Sequence, residues 1–259
     1  NNNTQMHGYG GSGNDFLAVI GGTGYLDAFG GYGNDWLQNI GTSNASNFLY
    51  GDVGTDLIVA GIANDHLYGG QDADRILGSA GHDHIYGGSG DDGASASFVA
   101  GAVAQGAVYT VDTVGGLLGQ DGNDYIEGGA GADNLYGGAD NDVLYSGDDG
   151  DFITGEAGVD YIDGGRGDDL LNGGDDADTI YGGEGLDQIW GNDGVDGIDA
   201  GTGNDFVWGG ANGDAIRGGD GGDTIRGEAG FDTILGGDVG DVILGGTETD
   251  NLAGEAGDD

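Results

Sequence analysis

Along most of this chain an aliphatic side chain returns at every ninth position, and an aspartate stands two places before it. In GGRGDDLLNGGDDADTIYGGEGLDQIW, residues 164–190, Leu171, Ile180 and Ile189 follow Asp169, Asp178 and Asp187 in this way. The positions between are glycine or polar, and the unit can be written G-G-x-G-x-D-x-U-x, with U aliphatic. Glycines at the first, second and fourth places allow left-handed or crowded backbone, so the first six residues can make a tight turn. The remaining x-U-x predicts a very short strand. Side chains alternate along a strand, so U points to one face and its two neighbours to the other. The face built from Ile126, Leu135, Leu144 and their successors is the expected interior.

The frame is unbroken from Gly119 to the last residue, fifteen full units over 119–253 and six residues of another. The sixth place is held by Asp124, Asp133, Asp142, Asp151, Asp160, Asp169, Asp178, Asp187, Asp196, Asp205, Asp214, Asp223, Asp232, Asp241, Asp250 and Asp259. A second run in another phase covers 51–92, with Asp56, Asp65, Asp74, Asp83 and Asp92 in the sixth place. Units at 10 and 30 add Asp15 and Asp35, while a degenerate unit at 21 has Leu26 there. The unit at 87 reads Ala94 in the eighth place, where the frame breaks. Two segments depart from the repeat: 39–50 is polar and loop-like, and 95–118 is apolar, with AVYTVDTV suited to strands. The predicted organisation is therefore a repeat block over 1–94, an apolar insert at 95–118 and a continuous block over 119–259. Whether the blocks form one roll or two is open at this level.

Nine residues of turn plus strand reverse the chain once, so two units complete one coil of an all-β parallel solenoid. Units n and n+2 then stack about 4.8 Å apart. That spacing brings sixth-place carboxylates onto adjacent rungs, where two bare charges repel by about 3 kcal/mol at an effective dielectric near 20. Composition sharpens the problem: 47 Asp and Glu face four Arg and no Lys, a formal net charge of -43. Nucleic acid and anionic membrane surfaces are repelled, and a cation is the natural partner. The chain has 66 glycines, no proline and no cysteine, so disulfides and thiolate metal sites are excluded. One buried aliphatic per nine residues cannot offset the ordering of so glycine-rich a backbone. The chain is expected to be disordered alone and to fold on a hard divalent cation, Ca²⁺ in preference to Mg²⁺, because carboxylates and turn carbonyls are all-oxygen ligands.

The unit resembles the glycine-rich nonapeptide of the RTX (repeats-in-toxin) family, over about 200 of the 259 residues. The resemblance implies a right-handed parallel β-roll with Ca²⁺ in both columns of turns, each ion held by sixth-place aspartates and turn carbonyls. It also implies type I secretion, the chain crossing unfolded and folding outside the cell. If each ion bridges n and n+2, about seventeen sites result, making the acidity mainly ligand. The degenerate unit at 21 is expected to lack one.

No window is long and apolar enough for a membrane helix, and membrane insertion is not expected. The opening NNNTQMHG is neither a start nor a signal peptide, so a processed or excerpted chain is expected. His82 and His84 around Asp83 are either a transition-metal pair or surface residues. No H-E-x-x-H, G-x-S-x-G or P-loop occurs, and no enzymatic role is expected. Trp190 and Trp208 fall on neighbouring rungs of one outer face, with Phe206, Val242 and Leu244 in the same sheet and Leu235 in the other. They read either as self-covering ladders or as a contact surface; the insert is a second candidate for contact. Two functions follow. One is a secreted calcium-binding scaffold, a filament, surface layer or adhesin stalk, in which self-association head to tail lets Asp259 complete its site with the next molecule. The other is the calcium-folding module of a larger secreted toxin or hydrolase, docking on other domains of the same polypeptide.

Overall fold

The computed structural model describes residues 6–19, 26–39, 45–90, 92 and 116–257. Strands alternate strictly between two sheets, one of thirteen strands and one of twelve, and every pairing is parallel. Each strand therefore lies beside the strand two units away, as the nine-residue reversal requires. Tyr125, Ile126 and Glu127 pair with Val143, Leu144 and Tyr145 in one sheet, and Asn134, Leu135 and Tyr136 with Phe152, Ile153 and Thr154 in the other. No helix occurs among the described residues.

The eighth-place side chains meet between the sheets as a single file of Ile, Leu and Val, from Leu37 through Ile126 and Leu171 to Ile234, almost all fully buried. In the degenerate unit at 21 the same place falls to Ala28, which keeps it filled with a smaller group. The strands are longer than x-U-x. Tyr125–Ala130 and Tyr161–Arg166 are representative, six residues running through the first three places of the next unit. The ladder continues because the first-place glycine also points inward, and the second-place glycine, at φ 118° in Gly129 and 119° in Gly147, bends the chain without leaving the pairing.

The two repeat blocks form one roll. Leu117 and Leu118 pair with Ile76 and Leu77 on one side and with Leu135 and Tyr136 on the other, and Leu117 is fully buried in the file. The eighth place of the unit at 87 is thus filled by Leu117, not Ala94, and the segment outside the frame ends earlier than 118. Residues 87–92 joined to 116–118 read GGSGDDGLL, a complete unit split after its sixth place. Residues 93–115, including most of the insert, lie outside the described residues.

The loop-like reading of 39–50 is corrected at Asn39 and over 48–50, while 40–44 lie outside the described residues. Phe48–Val53 is a strand, Leu49 occupies the core file, and Asn47 stands in the sixth place. The register absorbs each interruption, so hydrogen-bonded sixth places lie 18 residues apart in regular units, 20 and 21 near the start, and 41 across the insert.

Candidate metal centre

Apart from Asn47, the described turns of the two columns end in a sixth-place aspartate held by backbone. The N–H of Asp124 donates to Oδ1 of Asp142 at 2.8 Å, and the N–H of Asp142 to Oδ1 of Asp160 at 2.8 Å. The carbonyl of Asp124 in turn accepts the N–H of Val143 at 2.9 Å. This pattern runs down both columns, through Asp15, Asp35, Asp56, Asp74, Asp92, Asp133 and Asp151 in one and Asp65, Asp83, Asp124 and Asp142 in the other. Asp250 closes the described part by accepting from Asp232 at 3.1 Å, and Asp259 lies outside the described residues. Asp15 is half-buried. Between Asp35 and Asp241, the sixth-place aspartates are no more than 6 % exposed.

In many of these carboxylates one oxygen is thereby used and the other is not. Oδ2 of Asp124, Asp142, Asp160, Asp169, Asp178, Asp187, Asp196, Asp205, Asp214 and Asp223 is buried without a hydrogen-bond partner. A buried carboxylate oxygen left without a partner is costly, and its recurrence from rung to rung marks a built feature. Asp65 differs, since its Oδ2 accepts the N–H of Gly61 at 3.1 Å.

The first-place glycine makes the room. A Cβ on Gly164 would stand 2.6 Å from Asp169 Oδ2 and 2.6 Å from the carbonyl oxygen of Gly182, so any side chain there would collide with both. Fourth-place glycines turn the corner at positive φ, 125° at Gly122 and 134° at Gly167. Asp72, Asp140, Asp149, Asp176, Asn212, Val239 and Glu248 take that place at positive φ without glycine, whereas Ala63 takes it without positive φ.

The sequence pattern did not reveal a second ladder at the fifth place. Oδ1 of Asn14 accepts the N–H of Asn34 at 3.0 Å, and Oδ1 of Asn123 that of Asn141 at 3.2 Å. Asn141 does the same for Val159 at 2.9 Å, and Asp168 for Leu186 at 2.9 Å. His82 belongs to this ladder, its Nδ1 accepting the N–H of Asn123 at 2.8 Å. His84 faces outward and stacks at 4.8 Å on His66, so the structure does not bring His82 and His84 together. The enrichment of Asn in the fifth place was the available signal.

Electrostatics follow from burial. Burial pushes the Asp124 carboxyl up to about 8; the Asp83 N–H opposes the shift, and the like charges of Asp83 and Asp142 on adjacent rungs add to it. Asp169 is pushed to about 8 by the same causes, with Asp187, Asp151 and Asp168 as its charged neighbours. Asp74, between Asp92 and Asp56, reaches about 9. The rung geometry thus sets a strong penalty on bare carboxylates and, in the ten aspartates named above, leaves one oxygen turned to no partner.

Among the described residues no three carboxylate or imidazole groups converge on one point. A metal ion held here would draw on one or two carboxylates, with turn carbonyls as the other protein oxygens within the same geometry. That donor set is all oxygen and rich in carbonyls, which fits Ca²⁺ and does not fit a soft transition metal.

The RTX calcium-binding nonapeptide repeat model matches the chain at 42–76, 68–93, 118–153, 139–171, 154–189, 172–207, 190–225 and 208–243. No curated protein matches it. The matches cover more than half of the chain and fall on the turns just described, with their buried sixth-place aspartates. This chain belongs to the RTX calcium-binding nonapeptide repeat family, and its fold is the calcium-binding parallel β-roll.

Proposed function

We propose that the protein is a secreted scaffold that folds on calcium outside the cell. In this reading each ion lies between turns of one column. Its ligands are turn carbonyls and the sixth-place aspartates Asp15, Asp35, Asp56, Asp65, Asp74, Asp83 and Asp92, those from Asp124 through Asp250 at every ninth residue, and Asp259. The observation that carries it is the row of buried Oδ2 atoms without partners, repeated on successive rungs of both columns. Bound calcium supplies the positive charge that adjacent carboxylates need. The chain's own residues do the rest: backbone N–H groups orient each carboxylate through Oδ1, first-place glycines keep space clear beside Oδ2, and fifth-place Asn side chains hold the turns in register.

A chain whose acidic turns cannot close without calcium stays unfolded where the ion is scarce and folds where it is plentiful, which suits export in the unfolded state. Once folded, thirteen stacked strands give a rod roughly 60 Å long at the β-strand spacing. A rod with parallel ladders from end to end is suited to an extracellular filament, surface layer or stalk, with head-to-tail contact between strand edges. Light scattering while calcium is returned to chelated protein tests the scaffold reading. Particle growth in step with folding is expected; folding at constant monomer mass would favour a calcium-folding module of a larger secreted protein.

A further inference from the structure

The outer face of the thirteen-stranded sheet carries an aromatic ring on nine consecutive strands. Tyr9, Phe29, Tyr50, Tyr68, Tyr86, Tyr125, Tyr145, Tyr161 and Tyr181 follow one another with centroids no more than 5.9 Å apart. From Tyr9 to Tyr86 the rings are parallel within 7° and 4.6–5.2 Å apart, so they stack at the strand spacing. From Tyr86 to Tyr181 successive rings tilt by 41–48° and the wall is no longer flat. Rings stacked in this way cover one another's faces and turn their edges to the solvent.

One side of this wall is closed by a second stack, Phe48, His66 and His84, at 4.7 and 4.8 Å. The other side is bounded one residue further on by the third-place side chains of Tyr32, Val53, Gln71 and Ser89. Between these and the wall the second places of the same strands, Gly31, Asp52, Gly70 and Gly88, lie in register as a floor almost without side chains. Asp52 is the exception, an exposed carboxylate held at φ 78° beside the ring of Tyr50. No arginine offsets it nearby. Arg75 and Arg226 are on the other sheet, and Arg166 and Arg217 lie beyond the flat part, against Asp148, Glu184 and Asp199.

We propose that this groove, with Phe29, Tyr50, Tyr68 and Tyr86 as wall, glycines as floor and Asp52 as anchor, binds an elongated planar aromatic cation. The stacked ring edges and the glycine floor form a continuous apolar strip that a flat ring system can cover by van der Waals contact. Successive edges about 4.8 Å apart match a ligand of linked rings laid across the strands, each ring occupying about one rung. The flat floor admits such a molecule, and the sign of the local charge selects a cation.

Thioflavin T, a planar benzothiazolium cation, is a suitable probe for the full chain in calcium, with far-UV circular dichroism reporting the roll in each sample. A saturable fluorescence rise is expected. Tyr68→Leu with Tyr86→Leu is expected to weaken binding about tenfold, whereas Tyr68→Phe, which keeps the ring, binds as the parent does. Asp52→Asn is expected to weaken it about threefold at low salt and to flatten its salt dependence. Trp190→Leu with Trp208→Leu, on the other sheet, leaves it unchanged. Absence of binding by the folded roll, or affinity unmoved by loss of the two tyrosines, would overturn the proposal. So would particles that the tyrosine variant dissolves and that exclude the dye, since a second copy would then cover the face.

Discussion

At the scale of single residues, the sixth-place aspartate has two separable jobs. Oδ1 of Asp169 accepts the N–H of Asp151 at 2.8 Å and so helps to hold the turn, while Oδ2 is turned to no partner. Asn47 already shows that an amide can stand in the column, since it is buried there and bonded to Asp65. Asp169→Asn is therefore expected to fold fully in saturating calcium but to raise the calcium midpoint of folding by about tenfold, because it removes a ligand charge. Asp169→Ala also removes the Oδ1 acceptor, and a denaturant titration in calcium is expected to show a further loss of about 1–3 kcal/mol. Gly164→Ala puts a methyl into the space shared by Asp169 Oδ2 and the Gly182 carbonyl. A loss of about 1–3 kcal/mol in the same titration is expected. The reverse opportunity lies at Val239, a β-branched residue at φ 80° in a place most often taken by Gly or Asp. Val239→Asn is expected to stabilise the roll by about 1 kcal/mol.

At the scale of the turn and its strand, the acid–base behaviour of the columns has a definite sign. Burial raises the folded carboxyls of Asp74, Asp124, Asp142 and Asp169 to about 9, 8, 7 and 8, above the 3.8 of an exposed aspartate. Without calcium, the charged forms oppose folding at high pH, and the penalty lifts as the pH falls through the folded values towards 3.8. Calcium-free protein is thus expected to gain β signal between about pH 9 and pH 4 in circular dichroism. With calcium present the direction reverses, since protons compete for the ligands and the calcium midpoint rises on acidification. A calcium-free β signal that falls steadily over the same range would contradict this ordering of burial over the N–H bonds to Oδ1. What the sequence left unread at this scale was local. The period located each turn, but the fifth-place Asn ladder depends on side-chain carbonyls reaching the next rung, and the longer strands depend on second-place glycines bending within the pairing. Neither is a matter of spacing.

At the scale of the molecule, the strict return of Asp and an aliphatic residue made the parallel roll, its core file and the n to n+2 pairing legible before any coordinates. The interruptions were harder to read, because a frame search stops at an insertion whereas the fold can resume within the same unit. Leu117 and Asn47 were hidden for that reason: one completes a unit begun 23 residues earlier than spacing allows, and the other replaces the diagnostic Asp. The outer ladders were partly visible. Trp190 and Trp208 do stack, at 4.7 Å and 1°, with Phe206 beside them, and Val242 and Leu244 lie in the same sheet. The longer ring file on the opposite sheet needed the register. Since the roll passes across residues 93–115 without a change of pairing, a chain lacking them, with Asp92 joined to Gly116, is expected to keep its calcium midpoint and β signal. Loss of folding would assign those residues a structural part.

The most direct measurement is far-UV circular dichroism during a calcium titration of chelated protein. A weak β signal in chelator, rising cooperatively as calcium is added, is expected if the buried carboxylate columns are the sites that calcium closes. A β signal already complete in chelator would contradict it, because the columns would then be tolerated without the ion.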